Sequence, residues 1–189
     1  MSAYLFEKIY ENQIFEKEIL NHAEYESCRF VNCNFEASHF VAVTFIECTF
    51  ENCNFNKSII NHVAFRTVLF EKCKMTDINF AMVDKLIFAI EFRNCIMDFS
   101  KFYALKMKTT NFINCSLVAV DFMATDLTEA LFETCDLYRA EFDKAIALKA
   151  NFKTSYNYTI DPTKTKIKKA VFGLEQVKGL LYKYELEIR

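Results

Sequence analysis

Residues 28–55 read CRFVNCNFEASHFVAVTFIECTFENCNF, with phenylalanine at 30, 35, 40, 45, 50 and 55. The same five-residue register runs back through Tyr25, Leu20 and Phe15 and forward through Ile60, Phe65, Phe70, Met75 and Phe80. A second run occupies Phe92, Met97, Phe102, Met107, Phe112, Leu117, Phe122, Leu127, Phe132, Leu137 and Phe142, and ends after Ala147 at Phe152. Phe80 and Phe92 lie twelve residues apart, two more than two repeats, so a short loop or bulge is expected within residues 81–91. Two residues before each central residue stands a small or β-branched one, such as Cys28, Ser38, Val43, Ala130 or Ala140. The intervening positions are rich in Asn, Asp, Glu, Thr and Lys.

A period of five fits neither the 3.6-residue helix nor a simple alternating strand. The chain must turn once per repeat and return the same two residues to the interior, and four such sides close a square coil of twenty residues. Two glycines and one proline are too few for tight hairpins, so the turns are made by other residues.

Eight cysteines raise a metal or disulfide reading, and their spacing answers it: each sits two residues before a central residue. Cys28 and Cys48 form one column, Cys33, Cys53 and Cys73 a second, and Cys95, Cys115 and Cys135 a third, all packed as small buried hydrophobes. Zinc-type ligand spacing is missing, and so are glycine-rich phosphate loops and catalytic motifs, so neither metal, cofactor, small-molecule substrate nor enzymatic activity is expected. His22, His39 and His62 read as surface residues.

A net charge of −2 gives no general pull toward nucleic acid. The start of the chain lacks the pattern of a signal peptide and no long apolar run is present, so a soluble cytoplasmic protein without membrane contact is expected. Charge is uneven: residues 1–60, 61–110, 111–160 and 161–189 carry net −5, +3, −3 and +3.

These repeats resemble the pentapeptide-repeat family, whose motif is a small residue, Asp or Asn, Leu or Phe, then two variable residues. The resemblance implies an all-β fold, a right-handed quadrilateral parallel β-helix, here over residues 1–160. Residues 161–189 then form a capping or dimerisation segment. Within it Leu174, Val177, Leu180, Leu181 and Tyr184 recur at helical spacing, which predicts a short amphipathic α-helix acting either as an internal cap or as a two-fold interface.

Residues 158–181, YTIDPTKTKIKKAVFGLEQVKGLL, are similar to the C-terminal segment of the quinolone-resistance pentapeptide proteins and their mycobacterial fluoroquinolone-resistance relative. That resemblance implies a C-terminal homodimer that binds DNA gyrase or topoisomerase IV as a DNA mimic and protects it from quinolones. The outward carboxylates Asp121, Asp126, Glu129, Asp136, Glu141 and Asp143 are the candidate partner-binding surface. Their alternative role is to keep a rod soluble, and a scaffold with an unrelated partner is the competing function.

Overall fold

The computed structural model describes residues 3–15 and 19–187; residues 1–2 and 188–189, the outer ends of the two expected segments, and residues 16–18 lie outside it. The chain winds as a parallel β-solenoid with four sides per coil. Strands Ile9–Glu11, Arg29–Val31, Thr49–Glu51, Val68–Glu71, Ile90–Arg93, Asn111–Ile113, Leu131–Glu133, Asn151–Phe152 and Val171–Phe172 stack into one nine-stranded parallel sheet. Coils are numbered one to nine by these strands, and the sides of each coil follow chain order: face 1, centred on Leu5 in coil one, face 2 on Tyr10, face 3 on Phe15 and face 4 on Leu20.

The column of central residues on face 2 is an unbroken aromatic stack. Ring centroids are 4.8 Å apart for Tyr10 and Phe30, 4.7 Å for Phe30 and Phe50, 4.8 Å for Phe112 and Phe132, and 5.2 Å for Phe152 and Phe172. These values follow from the strand spacing of about 4.8 Å, which leaves stacked rings no other separation. Neighbouring faces meet edge to face, as in Phe50 and Phe55 at 5.1 Å and 81°, and so do opposite ones, as in Phe112 and Phe122 at 5.6 Å and 81°, the arrangement that aromatic quadrupoles favour.

The residue two before each centre does more than fill space. Its side chain donates to the carbonyl of the central residue one coil earlier: Ser58 Oγ to Phe35 O at 2.7 Å, Thr125 Oγ1 to Phe102 O at 2.8 Å, Ser155 Oγ to Phe132 O at 2.8 Å. The cysteines do the same with Sγ, for example Cys53 to Phe30 O at 3.4 Å and Cys135 to Phe112 O at 3.3 Å. A thiol is thus a weak donor to an otherwise under-bonded buried carbonyl and not merely a small hydrophobe.

The two runs join in one lattice. Val68–Glu71 pairs with Ile90–Arg93 in a register of twenty-two residues, Phe70 opposite Phe92 and Lys74 opposite Ile96. The expected second and third cysteine columns are therefore one: Cys95 Sγ donates to Phe70 O as Cys73 does to Phe50 O, so six thiols from Cys33 to Cys135 line up. All eight cysteines are free and buried. Burial pushes Cys48 up to about 12 and raises Cys73 well above its ordinary value, which keeps them protonated.

The two extra residues are confined to face 1 of coil five. Asp84 Oδ1 accepts from the Leu86 amide at 2.7 Å, Leu86 and Ile87 stand exposed, and the ladder resumes where Val68 N donates to Ala89 O at 3.1 Å. Elsewhere most corners among the described residues are made by a residue two after the centre in the left-handed region, among them Asn32, Ala42, Asn52, Ala104, Asn114 and Arg139. This conformation costs a non-glycine residue about 1–2 kcal/mol. Asn side chains offset part of it by bonding coil to coil: Asn32 Nδ2 to Asn12 Oδ1 at 3.2 Å, Asn52 to Asn32 at 2.8 Å, and Asn114 to Asn94 at 2.7 Å.

The C-terminal region departs from expectation twice. The solenoid passes the boundary at 160: Ile146 bridges Lys166, and Asn151–Phe152 pairs with Val171–Phe172, supplying the first two faces of a ninth coil. The helix that follows is 3₁₀, Leu174–Leu180 and Tyr182–Tyr184, instead of α. A seven-residue segment is too short to hold an isolated α-helix, and a three-residue period aligns Leu174, Val177 and Leu180. Gly179 presses on the coil beneath, since a Cβ there would lie 2.1 Å from the Tyr158 carbonyl.

Candidate functional site

The candidate carboxylates occupy three faces of coils six and seven and do not converge. Asp121 and Glu141 are neighbours on face 4, continuing a column from Lys101, while Asp136 lies on face 3 and Asp126 on face 1. Asp143 follows Glu141 on face 4, and Glu129 sits at the corner after face 1.

Most of them already have local work. Asp121, Asp126 and Asp136 each accept from the backbone amide two residues on, Met123, Thr128 and Tyr138, at 2.8, 3.1 and 3.0 Å. These are Asx turns that hold the exposed side of the repeat. Lys108 pairs with Asp126 at 3.5 Å, Lys149 with Glu129 at 2.6 Å and Lys164 with Asp143 at 2.9 Å. Burial alone would raise Asp126, but the Thr128 hydroxyl and amide and the nearby Lys108 outweigh it and hold the carboxyl below its usual range. Lys149 does the same for Glu129 through a direct hydrogen bond. Among the described residues, Asp121, Asp136 and Glu141 have no Lys or Arg within ion-pairing distance, so the negative surface available to a partner is smaller than the six residues suggest.

The apolar positions of the C-terminal segment are largely uncovered. Leu174 is 88 % exposed and Tyr184 55 %, Val177 and Leu181 are near 40 %, and Leu180 packs partly against the core. Between this segment and coils seven and eight runs a groove of about 950 Å³ lined by Tyr138, Arg139, Glu141, Tyr158, Gln176, Leu181 and Tyr182 among others. The repeat pattern gave no sign of it, because it forms where the chain leaves the lattice. Beneath it Tyr158 is buried and its hydroxyl has no partner. His22, His39 and His62 are exposed on face 4. Among the described residues no group of three or more His, Cys, Asp or Glu side chains is placed to hold a metal ion, and no helix is long and apolar enough to cross a membrane.

Two family models, for a pentapeptide repeat region and for pentapeptide repeats in eight copies, match residues 23–84 and 115–153. The chain is a pentapeptide-repeat protein. No curated protein matches it at the level of sequence. Among solved structures, this pentapeptide-repeat protein is similar to a trypsin-treated variant of QnrB1, a plasmid-mediated fluoroquinolone resistance protein. The TM-score is 0.57 and the identity 11 %, with 99 % of this chain and all of the other covered. It is equally similar to HetL, which is involved in heterocyst differentiation regulation in the cyanobacterium Nostoc sp. strain PCC 7120. There the TM-score is 0.57 and the identity 10 %, covering 91 % of this chain and 87 % of the other. Such identities establish a shared fold.

Proposed function

We propose that this pentapeptide-repeat protein is a non-enzymatic, cytoplasmic interaction rod whose partner is DNA gyrase or topoisomerase IV, bound in place of DNA. The observation that carries this reading is the similarity of residues 158–181 to the C-terminal segment of quinolone-resistance members, together with the end-to-end structural likeness to QnrB1. In this reading two copies join through the apolar C-terminal end, Leu174, Val177, Leu180, Leu181 and Tyr184, into a longer rod. Asp121, Asp136 and Glu141 then supply the negative charge that a DNA-binding surface meets, with the paired Asp126, Glu129 and Asp143 contributing less.

The test is gyrase supercoiling, with and without a quinolone, over a salt series. Inhibition or drug protection that weakens with salt and is abolished in D121N/E141Q supports the reading, since both residues lie on the surface and D121N keeps the acceptor for the Met123 amide, which leaves the fold unchanged. No effect at micromolar protein moves the assignment to a scaffold with another protein partner. That second reading is favoured by the equal likeness to HetL and by the lysines that neutralise half of the acidic surface.

A further inference from the structure

Face 1 carries a charge pattern that the repeat does not require. Its outward residues are Glu24 and Glu26 in coil two, Thr44, Ile46 and Glu47 in coil three, and Arg66 in coil four. The loop of coil five adds Asp84 and the exposed Lys85, after which come Lys106 and Lys108, then Asp126 and Glu129, then Ile146, Leu148 and Lys149, and finally Lys166, Lys168 and Lys169 in coil nine. One end of the face is acidic and the other basic, with the signs alternating between them. Among the described residues Glu24, Glu47, Arg66, Lys166, Lys168 and Lys169 make no ion pair, and Arg66 Nε is buried without a hydrogen-bond partner.

We infer that face 1 is a self-docking surface on which a second copy lies antiparallel, related by a two-fold axis that runs along the strands between coils five and six. Such an axis reverses the order of coils and keeps the position within each strand. Coil two then meets coil nine, with Glu24 opposite Lys166 and Glu26 opposite Lys168. Coil three meets coil eight, with Glu47 opposite Lys149 and Ile46 opposite Leu148. Coil four meets coil seven, placing Arg66 over Thr128 between Asp126 and Glu129. At the centre, the apolar tip formed by Leu86 and Ile87 lies on the aliphatic stems of the second copy's Lys106 and Lys108.

The register is selected by charge. An axis along the solenoid sets every coil on itself, like charge on like. Moving the transverse axis onto coil five sets Glu47 on Glu129 and Arg66 on Lys108, and moving it onto coil six sets Lys106 and Lys108 on their own copies. The axis between them opposes no like charges across coils two to four and seven to nine, and only at its centre does Lys85 of the loop stand beside Lys106 and Lys108 of the second copy. Like charges opposed in an interface are what exclude wrong geometries. The second copy is the occupant because complementarity closes over six coils with itself. The face is about 10 Å wide and its coils span about 38 Å, so each copy buries on the order of 400 Å². That is the size of a weak, transient pair, which forms at high protein concentration and low salt.

The inference is independent of the topoisomerase reading and of the C-terminal end. Sedimentation velocity at low salt, in a Leu174→Asp/Val177→Asp background so that end-to-end pairing does not contribute, reads it. Reversing Glu24 and Glu26 to Lys, or Lys166 and Lys168 to Glu, each weakens association at least tenfold, and an equimolar mixture of the two variants recovers it as a heterodimer. A zero-length carbodiimide reagent joins Glu26 to Lys168 and Glu47 to Lys149. Within one copy these pairs are about 34 and about 24 Å apart by coil spacing, so the links form only between copies. Association that is unchanged by either reversal, a mixture that fails to recover while both variants keep the wild-type circular dichroism, or associated protein without the Glu47–Lys149 link overturns the inference. The last outcome would leave head-to-tail stacking of acidic on basic ends in its place.

Discussion

In coil six, Leu105, Phe112, Cys115, Leu117, Val120 and Phe122 are all no more than 2 % exposed, whereas in Leu174–Glu187 no residue is buried. The two regions hold their backbones differently. In the coils successive amides donate in turn to the coil before and the coil after, as in Asn54 N to Cys33 O at 3.0 Å and Phe55 N to Lys74 O at 2.7 Å, and interior residues stack on the same position of the coils above and below. In the C-terminal segment the bonds are mostly local, Gln176 N to Gly173 O at 3.2 Å and Tyr184 N to Leu181 O at 2.9 Å, with one backbone bond from the coil, Ile160 N to Gly179 O at 3.2 Å, and packing rests on a few points. Order in the coils is therefore distributed, while order in the segment hangs on Gly179, Leu180 and the Asp161–Lys183 contact.

The largest effect expected from this contrast is in the coils. Replacing Phe112 with Asp removes a ring stacked at 5.3 and 4.8 Å on Phe92 and Phe132 and leaves a carboxylate without a partner. The cost is at least about 4 kcal/mol, the sum of a lost aromatic core residue and an unsatisfied buried group. Urea unfolding followed by far-ultraviolet circular dichroism checks it, and an unchanged midpoint would break the claim that the stack carries the fold.

A smaller and local effect is expected at Gly179. Substitution by Ala puts a methyl group 2.1 Å from the Tyr158 carbonyl oxygen and 2.9 Å from its ring, and backbone cannot yield as a flexible side chain would. The segment lifts at a cost of about 1–3 kcal/mol, typical of overpacking, while the coils remain intact. Limited proteolysis at Lys178 and Lys183 should accelerate with no change in circular dichroism. Loss of the solenoid signal instead would show that the segment and the coils unfold together.

Why the coils were legible and the segment was not follows from the same contrast. Phe30, Phe50 and Phe70 announce their positions because each side chain is dictated by identical neighbours twenty residues away, so the pattern repeats in the sequence. The insertion showed as a change of register between Phe80 and Phe92 for the same reason. That register change also hid the union of the Cys73 and Cys95 columns, because a bulge on one face shifts the numbering of every face after it. Coil nine was missed because Tyr158 and Ile160 fill the interior off register while only Ser155 and Thr165 keep the inward hydroxyl, donating to Phe132 O at 2.8 Å and Phe142 O at 2.9 Å. Of the candidate site, the sequence placed the carboxylates outside. It did not reveal which were spent on Asx turns or on Lys108, Lys149 and Lys164, since ion pairs between coils depend on side chains eighteen to twenty-one residues apart.

A third change sharpens the comparison at the seam. The Tyr158 hydroxyl is buried and unpartnered, and burial raises its pKa. Tyr158→Phe removes a desolvated polar atom while keeping the ring that packs 6.3 Å from Phe152 and 5.5 Å from Phe172. Stability should stay level or rise by up to about 1 kcal/mol. A loss of more than that in thermal melting would mean that the hydroxyl has a role at the groove above it.

The smallest effect concerns acid. Lys183 Nζ donates to Asp161 Oδ1 at 2.8 Å, the Thr163 hydroxyl and amide donate to the same carboxylate, and together they hold Asp161 at about 2, below its ordinary 3.8. A depressed carboxylate stabilises the contact fully above its unfolded value and ceases to do so as pH falls through the folded one. Docking of the C-terminal segment should therefore be constant from neutral pH down to about 4 and loosen between about 4 and 2, through the protonation of Asp161, while the coils hold. Two-dimensional NMR of Asp161 and of the Tyr182–Tyr184 amides reads both at once. In Lys183→Met the Asp161 midpoint should move up toward 3.8 and the segment's amides should shift at neutral pH as they do in acid. If the amides stay put in that variant, the segment is held by Gly179 and Leu180 alone, and the Asp161–Lys183 pair is a surface contact of no consequence for docking.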